Sequence, residues 1–161
     1  LCLLVTGEEK GLLGSMYYVN NPVFPLSSTI ADINIDMVGR IDDKYKPNGN
    51  YVYVIGSDRL SSKLHEYNES INQKYSHIIM DYTYNAENDI NRYYYRSDHY
   101  NFAEKLIPAI FFFNGTHEDY HRIGDDPEKI DFNKMEKTRR PVFLLGWKLA
   151  NTDVRIQVYI K

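Results

Sequence analysis

Short apolar runs alternate with amphipathic stretches along the chain. The runs have the length and β-branched or aromatic content of strands, and they fall at residues 2–6, 29–38, 51–55, 77–84 and 108–113. Between them, apolar residues recur at helical spacing, which predicts helices over residues 10–20, 61–75 and 132–150 and a short helix from Ser97. Strands that alternate with helices predict an α/β fold.

Two features near the C-terminus are less regular. Pro141 falls inside the last predicted helix, where a proline should kink or interrupt it. Residues 153–161 alternate apolar and polar side chains, which predicts a strand.

The polar stretch 114–131, rich in His and Asp, predicts a long loop, and long loops are often functional.

Composition limits the possible classes of protein. A length of 161 residues suits one domain, so we expect residues 1–161 to form a single domain. The net charge of -3 argues against a nucleic-acid surface, and every apolar run is too short to span a membrane. Cys2 is the single cysteine, which rules out an internal disulfide and a cysteine-based zinc site.

Polar side chains with catalytic potential follow the predicted strands. Glu8 and Glu9 follow the first strand, Asp36 lies near the end of the second, and a His- and Asp-rich loop follows the strand at 108–113. Sites in open α/β sheets lie just outside the carboxyl ends of the strands. Carboxylates and imidazoles without thiolates form a ligand set suited to zinc or a similar divalent ion.

Structural roles are open for each of these residues. Glu8 and Glu9 could be a solvated surface pair, since charged residues are mostly exposed. Asp36 could be a structural acid paired with a helix start, and His121 could be a loop histidine at the surface. His99 could pack with neighbouring aromatic residues, and the sequence pattern alone leaves these alternatives undecided.

Five segments, in this order, resemble the M28 metallopeptidases, the co-catalytic di-zinc aminopeptidases. The resemblance covers about residues 2–152 and implies a three-layer fold with a mixed, mostly parallel sheet. The segments that carry it are Thr6-Gly7-Glu8-Glu9-Lys10-Gly11, Asn34-Ile35-Asp36-Met37-Val38-Gly39, Arg96-Ser97-Asp98-His99, Ile107-Pro108-Ala109-Ile110-Phe111 and His117-Glu118-Asp119-Tyr120-His121 with Asp125.

The resemblance implies a zinc-dependent aminopeptidase that hydrolyses N-terminal residues from peptides, with two zinc ions in the complete enzyme. It implies that Glu8 is the general base, that Glu9 binds one zinc, and that Asp36 and His121 bind the other. Asp125 is implied as the partner that orients His121. The resemblance gives Ser97, Asp98 and His99 supporting roles and places Tyr120, with the tyrosines at 93–95, in the substrate pocket.

The family also carries a His-x-Asp motif upstream of the Glu-Glu pair, and no such motif precedes Glu8 in this sequence. We therefore expect a partial catalytic domain that lacks its N-terminal part, binds zinc weakly or not at all, and has little activity alone. An exposed sheet edge could then cause self-association. Family members of this kind are often secreted or periplasmic, but the sequence itself gives no compartment.

Two other functions fit the same pattern. One is a non-catalytic module that binds peptides on a peptidase-like fold. The other is a single-zinc enzyme of the glutaminyl-cyclase type, against which the peptidase-like context of Asp36 argues.

Overall fold

The computed structural model describes residues 1–159 and contains a sheet of four strands in the order β1-β4-β2-β3. Strand β1 is parallel to β4 and β2 is parallel to β3, whereas β2 and β4 are antiparallel. The prediction of a mixed, mostly parallel sheet flanked by helices is confirmed. The strands are β1 (Asp32–Ile35), β2 (Tyr51–Ile55), β3 (Ile79–Asp81) and β4 (Ala109–Phe113).

The central strands match the predicted positions better than the edge strands. Every residue of β2 and β4 is buried, which is why both read as continuous apolar runs. The edge strands are shorter than predicted: the run at 29–38 contributes four paired residues and the run at 77–84 contributes three.

Four α-helices flank the sheet: α1 (Leu13–Asn20), α2 (Ser62–Ile71), α3 (His99–Glu104) and α4 (Phe132–Ala150). Helix α2 continues into a π-helical turn over Asn72–Ser76. The expected interruption at Pro141 is wrong, because α4 continues through it. The neighbouring Val142 and Leu145 are buried in the core, and that packing outweighs the backbone hydrogen bond that a proline removes. Among the described helices, none is long and apolar enough to cross a membrane.

The two faces of the sheet have different cores. Val52, Val54 and Phe112 belong to an aliphatic core that also contains Leu64 of α2 and Leu145 of α4. On the opposite face, the alternate residues of the same strands form an aromatic core, because successive side chains of a strand point to opposite faces. Its buried members are Tyr51, Tyr53, Ile55, Phe111 and Phe113.

Two predicted strands are wrong. Residues 1–7 have no regular structure, and Leu1 and Leu4 are 79% and 103% exposed. A strand needs a neighbour that accepts its ladder hydrogen bonds, and β4 is the only strand paired with β1 in the described part of the chain. Residues 153–159 also form no strand, and the last two residues lie outside the described part. Self-association at the β1 edge stays a prediction.

Candidate active site

The Glu-Glu pair lies in a tight turn rather than at a strand end. Glu8–Lys10 form one 3₁₀ turn between Gly7 and Gly11, whose φ angles of 69° and 103° lie in the left-handed region that favours glycine. The amide of Gly14 then donates to the carbonyl of Thr6 at 2.8 Å. A Cβ at Gly14 would lie 2.6 Å from the Thr6 nitrogen, so this close approach requires glycine.

One cavity of about 290 Å³ brings together seven of the residues predicted for the site or its substrate pocket. Asp36 directly follows β1 and the loop with His121 follows β4; since these strands are parallel, both reach the same edge of the sheet. The predicted residues in the wall are Glu8, Glu9, Asp36, Tyr93, Tyr95, Tyr120 and His121. The other wall residues are Gly11, Leu12, Met37, Arg96, Phe111 and Phe113.

Glu9 and His121 are in direct contact. Oε1 of Glu9 lies 2.9 Å from Nε2 of His121, and the ring of Tyr120 stacks on the imidazole with centroids 3.9 Å apart. The side chains of His121 and Glu9 are 53% and 66% exposed, so an incoming ligand can reach both. The contact ties the long loop after β4 to the turn before α1.

Asp36 is held by two hydrogen bonds in series. Nδ2 of Asn34 donates to Oγ of Ser97 at 2.8 Å, and Ser97 Oγ donates to Oδ2 of Asp36 at 2.9 Å. Burial raises the pKa of Asp36, the Ser97 hydrogen bond opposes that rise, and the negative charge of Asp98 adds to it. Ser97 therefore orients this carboxylate, which is a supporting contact.

Glu8 titrates in the neutral range. Burial, the largest cause, together with the charges of Asp36, Glu9 and Asp98 raises its pKa to about 7. A carboxyl group with a pKa near neutrality can both accept and release a proton at physiological pH. This property distinguishes Glu8 from an ordinary surface glutamate.

Asp98 and His99 lie behind the cavity wall. Oγ of Ser15 donates to Oδ1 of Asp98 at 2.5 Å, and Nδ2 of Asn101 donates to the same hydroxyl at 2.7 Å. This network joins α1 to α3. The His99 ring stacks on Phe111 with centroids 4.8 Å apart, and burial lowers its pKa to about 3, so this histidine is neutral at physiological pH.

Asp125 makes no hydrogen bond or ion pair with His121 among the described residues, and the orienting role that the resemblance implies stays a prediction. Its Oδ1 accepts from Nη1 of Arg40 at 3.0 Å, and its other oxygen lies 3.8 Å from Nε2 of His117. Arg40 also donates to Asp119 at 2.8 Å. Arg40 is thus the hydrogen-bond partner of Asp125, and Glu9 is the hydrogen-bond partner of His121.

Leu12, Met37 and Arg96 are among the wall residues that sequence reasoning did not predict as part of the site. Leu12 and Met37 have φ angles of 57° and 54°, and His121 shares this left-handed conformation with a φ of 57°. Such angles are uncommon for residues other than glycine, and nothing in the sequence signals them. The position of Arg96 directly before Ser97 was a usable signal.

The side chains in the cavity include the types of donor that bind zinc, but too few of them lie close together. Carboxylate and imidazole are ordinary zinc ligands, and Glu9, Asp36 and His121 open into one cavity. Within residues 1–159, however, no group of three or more His, Cys, Asp or Glu residues is close enough to hold a metal ion. Glu9 and His121 bond to each other, and Asp36 bonds to Ser97. The described residues thus include three donors of the kinds that bind zinc, and their role as ligands stays a prediction.

The mixed α/β sheet has carboxylates and a histidine just outside its strand ends, which is where α/β proteins place their sites. The chain belongs to peptidase family M28, because the model of that family matches residues 1–145. No curated protein sequence matches the chain.

Solved aminopeptidases share this fold. The LapA aminopeptidase of Legionella pneumophila is 25% identical, with a TM-score of 0.71 over 92% of this chain and 38% of LapA. BSAP, a zinc aminopeptidase from Bacillus subtilis, is 22% identical, with a TM-score of 0.66 over 98% of this chain and 38% of BSAP. An aminopeptidase from Aneurinibacillus sp. strain AM-1 is 19% identical, with a TM-score of 0.67 over 96% of this chain and 33% of that enzyme. The chain thus spans less than two fifths of the length of these enzymes.

Proposed function

We propose that this chain carries part of the catalytic site of a zinc-dependent aminopeptidase, with Glu8 as the general base. The observation that carries the proposal is the position of Glu8, whose pKa is about 7, in one cavity with three potential zinc ligands. Family membership supports a peptide as the substrate.

Glu9 would hold one zinc ion and Asp36 and His121 the other, and zinc would act as a Lewis acid that polarises the scissile carbonyl. Glu8 would take a proton from the attacking water and pass it to the leaving amine. The cluster of carboxylates would attract the positively charged amino terminus of the peptide. The aromatic wall, which includes Tyr93, would hold the first side chain.

The test is the substitution Glu8→Gln, which keeps the shape of the side chain and removes the base. With zinc added, we expect the kcat for hydrolysis of leucyl-p-nitroanilide to fall by about 10²–10⁴-fold. Glu128→Gln, at an exposed glutamate outside the cavity, is the matched control and should keep the wild-type rate. Hydrolysis by Glu8→Gln at the wild-type rate would contradict the proposal.

A second candidate function is peptide binding without hydrolysis. The observation in its favour is the incomplete metal site, since the described residues assemble no group of three donors. Saturable binding of Leu-Leu by the zinc-treated chain, with no cleavage of the peptide, would support this function instead.

A further inference from the structure

The cavity of the candidate site carries charges of both signs. Glu8, Glu9 and Asp36 place three carboxyl groups in its wall. Arg96 is the one Lys or Arg among the described residues that line it. A cavity of about 290 Å³ with both charges fits a ligand that carries an amine and a carboxylate together.

Arg96 has donors to spare for such a ligand. Its guanidinium lies 5.2 Å from the centroid of Tyr93, and its Nη1 makes one long hydrogen bond of 3.4 Å to the carbonyl of Asn91. The ion pairs within residues 1–159 do not include Arg96. Arg40 differs, because Asp119 and Asp125 occupy its guanidinium.

The surroundings of Arg96 suit an anion that enters from solvent. Tyr93, Tyr95 and Tyr120 line the same cavity, and the guanidinium lies over the Tyr93 ring, a cation–π contact that uses none of its N–H groups. A planar guanidinium with free N–H groups binds a carboxylate through two parallel hydrogen bonds, which are stronger than neutral ones.

We propose that Arg96 is a specificity-determining residue that binds a carboxylate of the peptide substrate while the acidic side of the cavity binds its amino terminus. The inference rests on the proposed function and narrows its substrate class. The carboxylate has two sources: an acidic side chain on the first residue, or the free C-terminus of a dipeptide.

The test compares Arg96→Gln with wild type on two pairs of compounds that each differ by one carboxylate. Glutamyl- and glutaminyl-p-nitroanilide test the side chain, and Leu-Leu and Leu-Leu-amide test the C-terminus. We expect wild type to prefer the acid in one pair by about 10- to 100-fold in kcat/KM, and Arg96→Gln to lose that preference. The pair that responds identifies the source of the carboxylate.

Arg92→Gln is the matched control, because Arg92 also lies over a tyrosine ring, 4.9 Å from the centroid of Tyr95, but does not line the cavity. It should keep the wild-type preference, and Arg96→Lys should keep part of it. The same four compounds are titrated by NMR, so that dissociation constants give the preference even if hydrolysis fails. Equal preferences in wild type and Arg96→Gln for both pairs would overturn the assignment of Arg96 and leave the role of Glu8 untouched.

Discussion

Nε2 of His121 lies 2.9 Å from Oε1 of Glu9, although 112 residues separate them in the sequence. The contact joins the loop after β4 to the turn before α1. It brings together two side chains that the resemblance assigns to zinc ligation. Both side chains are more than half exposed to solvent.

Removal of the imidazole should weaken zinc binding. For His121→Asn we expect the zinc affinity, measured by calorimetric titration, to fall by at least about tenfold, since loss of even an indirect partner of a metal costs that much. His77→Asn is the matched control, because His77 has a similar positive φ of 52° and asparagine tolerates that conformation. Equal zinc affinities for wild type and His121→Asn would show that His121 is not a ligand.

Loss of the Ser97 hydroxyl should destabilise the protein and disorder Asp36. Ser97 is 2% exposed, so Ser97→Ala leaves the amide of Asn34 and the carboxylate of Asp36 each without this partner. We expect the free energy of unfolding, measured by urea denaturation, to fall by about 1–3 kcal/mol. Ser70→Ala, which removes an exposed hydroxyl, should change it by less than about 0.5 kcal/mol. Equal effects of the two substitutions would contradict the bridging role of Ser97.

An added methyl group at Gly14 should displace the turn that carries Glu8 and Glu9. The new Cβ would lie 2.6 and 2.7 Å from the backbone N and O atoms of Thr6, so Gly14→Ala should cost about 1–3 kcal/mol in unfolding free energy. It should also lower the rate of hydrolysis, because the turn must shift.

Gly146→Ala is the control, because it is the same substitution at a glycine where an added Cβ has more room. Its Cβ would meet Cδ1 of Ile33 at 3.7 Å, an ordinary contact, and alanine is the better helix former by about 1 kcal/mol. This variant should be as stable as wild type or more stable. A Gly14→Ala protein as stable as wild type would show that the turn can shift without cost.

The buried Lys134 should make the protein more stable as the pH rises from 7 to 9. Its ammonium lies over the Tyr51 ring, 3.8 Å from the centroid, and donates to the Tyr51 carbonyl. Burial lowers its pKa from 10.5 to about 7. Between these two values the unfolded chain binds more protons than the folded chain, so the free energy of unfolding should rise by about 2 kcal/mol from pH 7 to 9.

Urea denaturation of Lys134→Met across this pH range checks the assignment. The variant should lose most of the rise, because it has no ammonium to deprotonate at position 134. Lys148→Met, at an exposed lysine of the same helix, should keep it. A rise of the same size in Lys134→Met would assign the pH dependence to other groups.

Sequence patterns predicted the buried centre of the fold well and its edges poorly. Strands β2 and β4 were predicted within a residue, because all their side chains are buried and must be apolar. The apolar run at residues 2–6 has the same composition but no paired neighbour in the described chain. Pairing is a property of the assembled sheet, which local composition does not encode.

The candidate site was also predicted only in part. The resemblance named Glu8, Glu9, Asp36 and His121, and the structure places all four in one cavity, while their individual roles stay predictions. The partner of Asp125 could not be predicted, since Arg40 lies 85 residues away in sequence.

The left-handed residues in the cavity wall connect the shape of the cavity to heat resistance. Leu12 and Met37 hold a backbone conformation that costs roughly 1–2 kcal/mol for a residue with a Cβ. Met37→Gly would relieve this cost, but it would also remove a side chain that packs against the aromatic core, and that loss costs more. A laboratory selection for thermostable variants would therefore retain Met37 and, with it, the shape of the cavity beside Glu8.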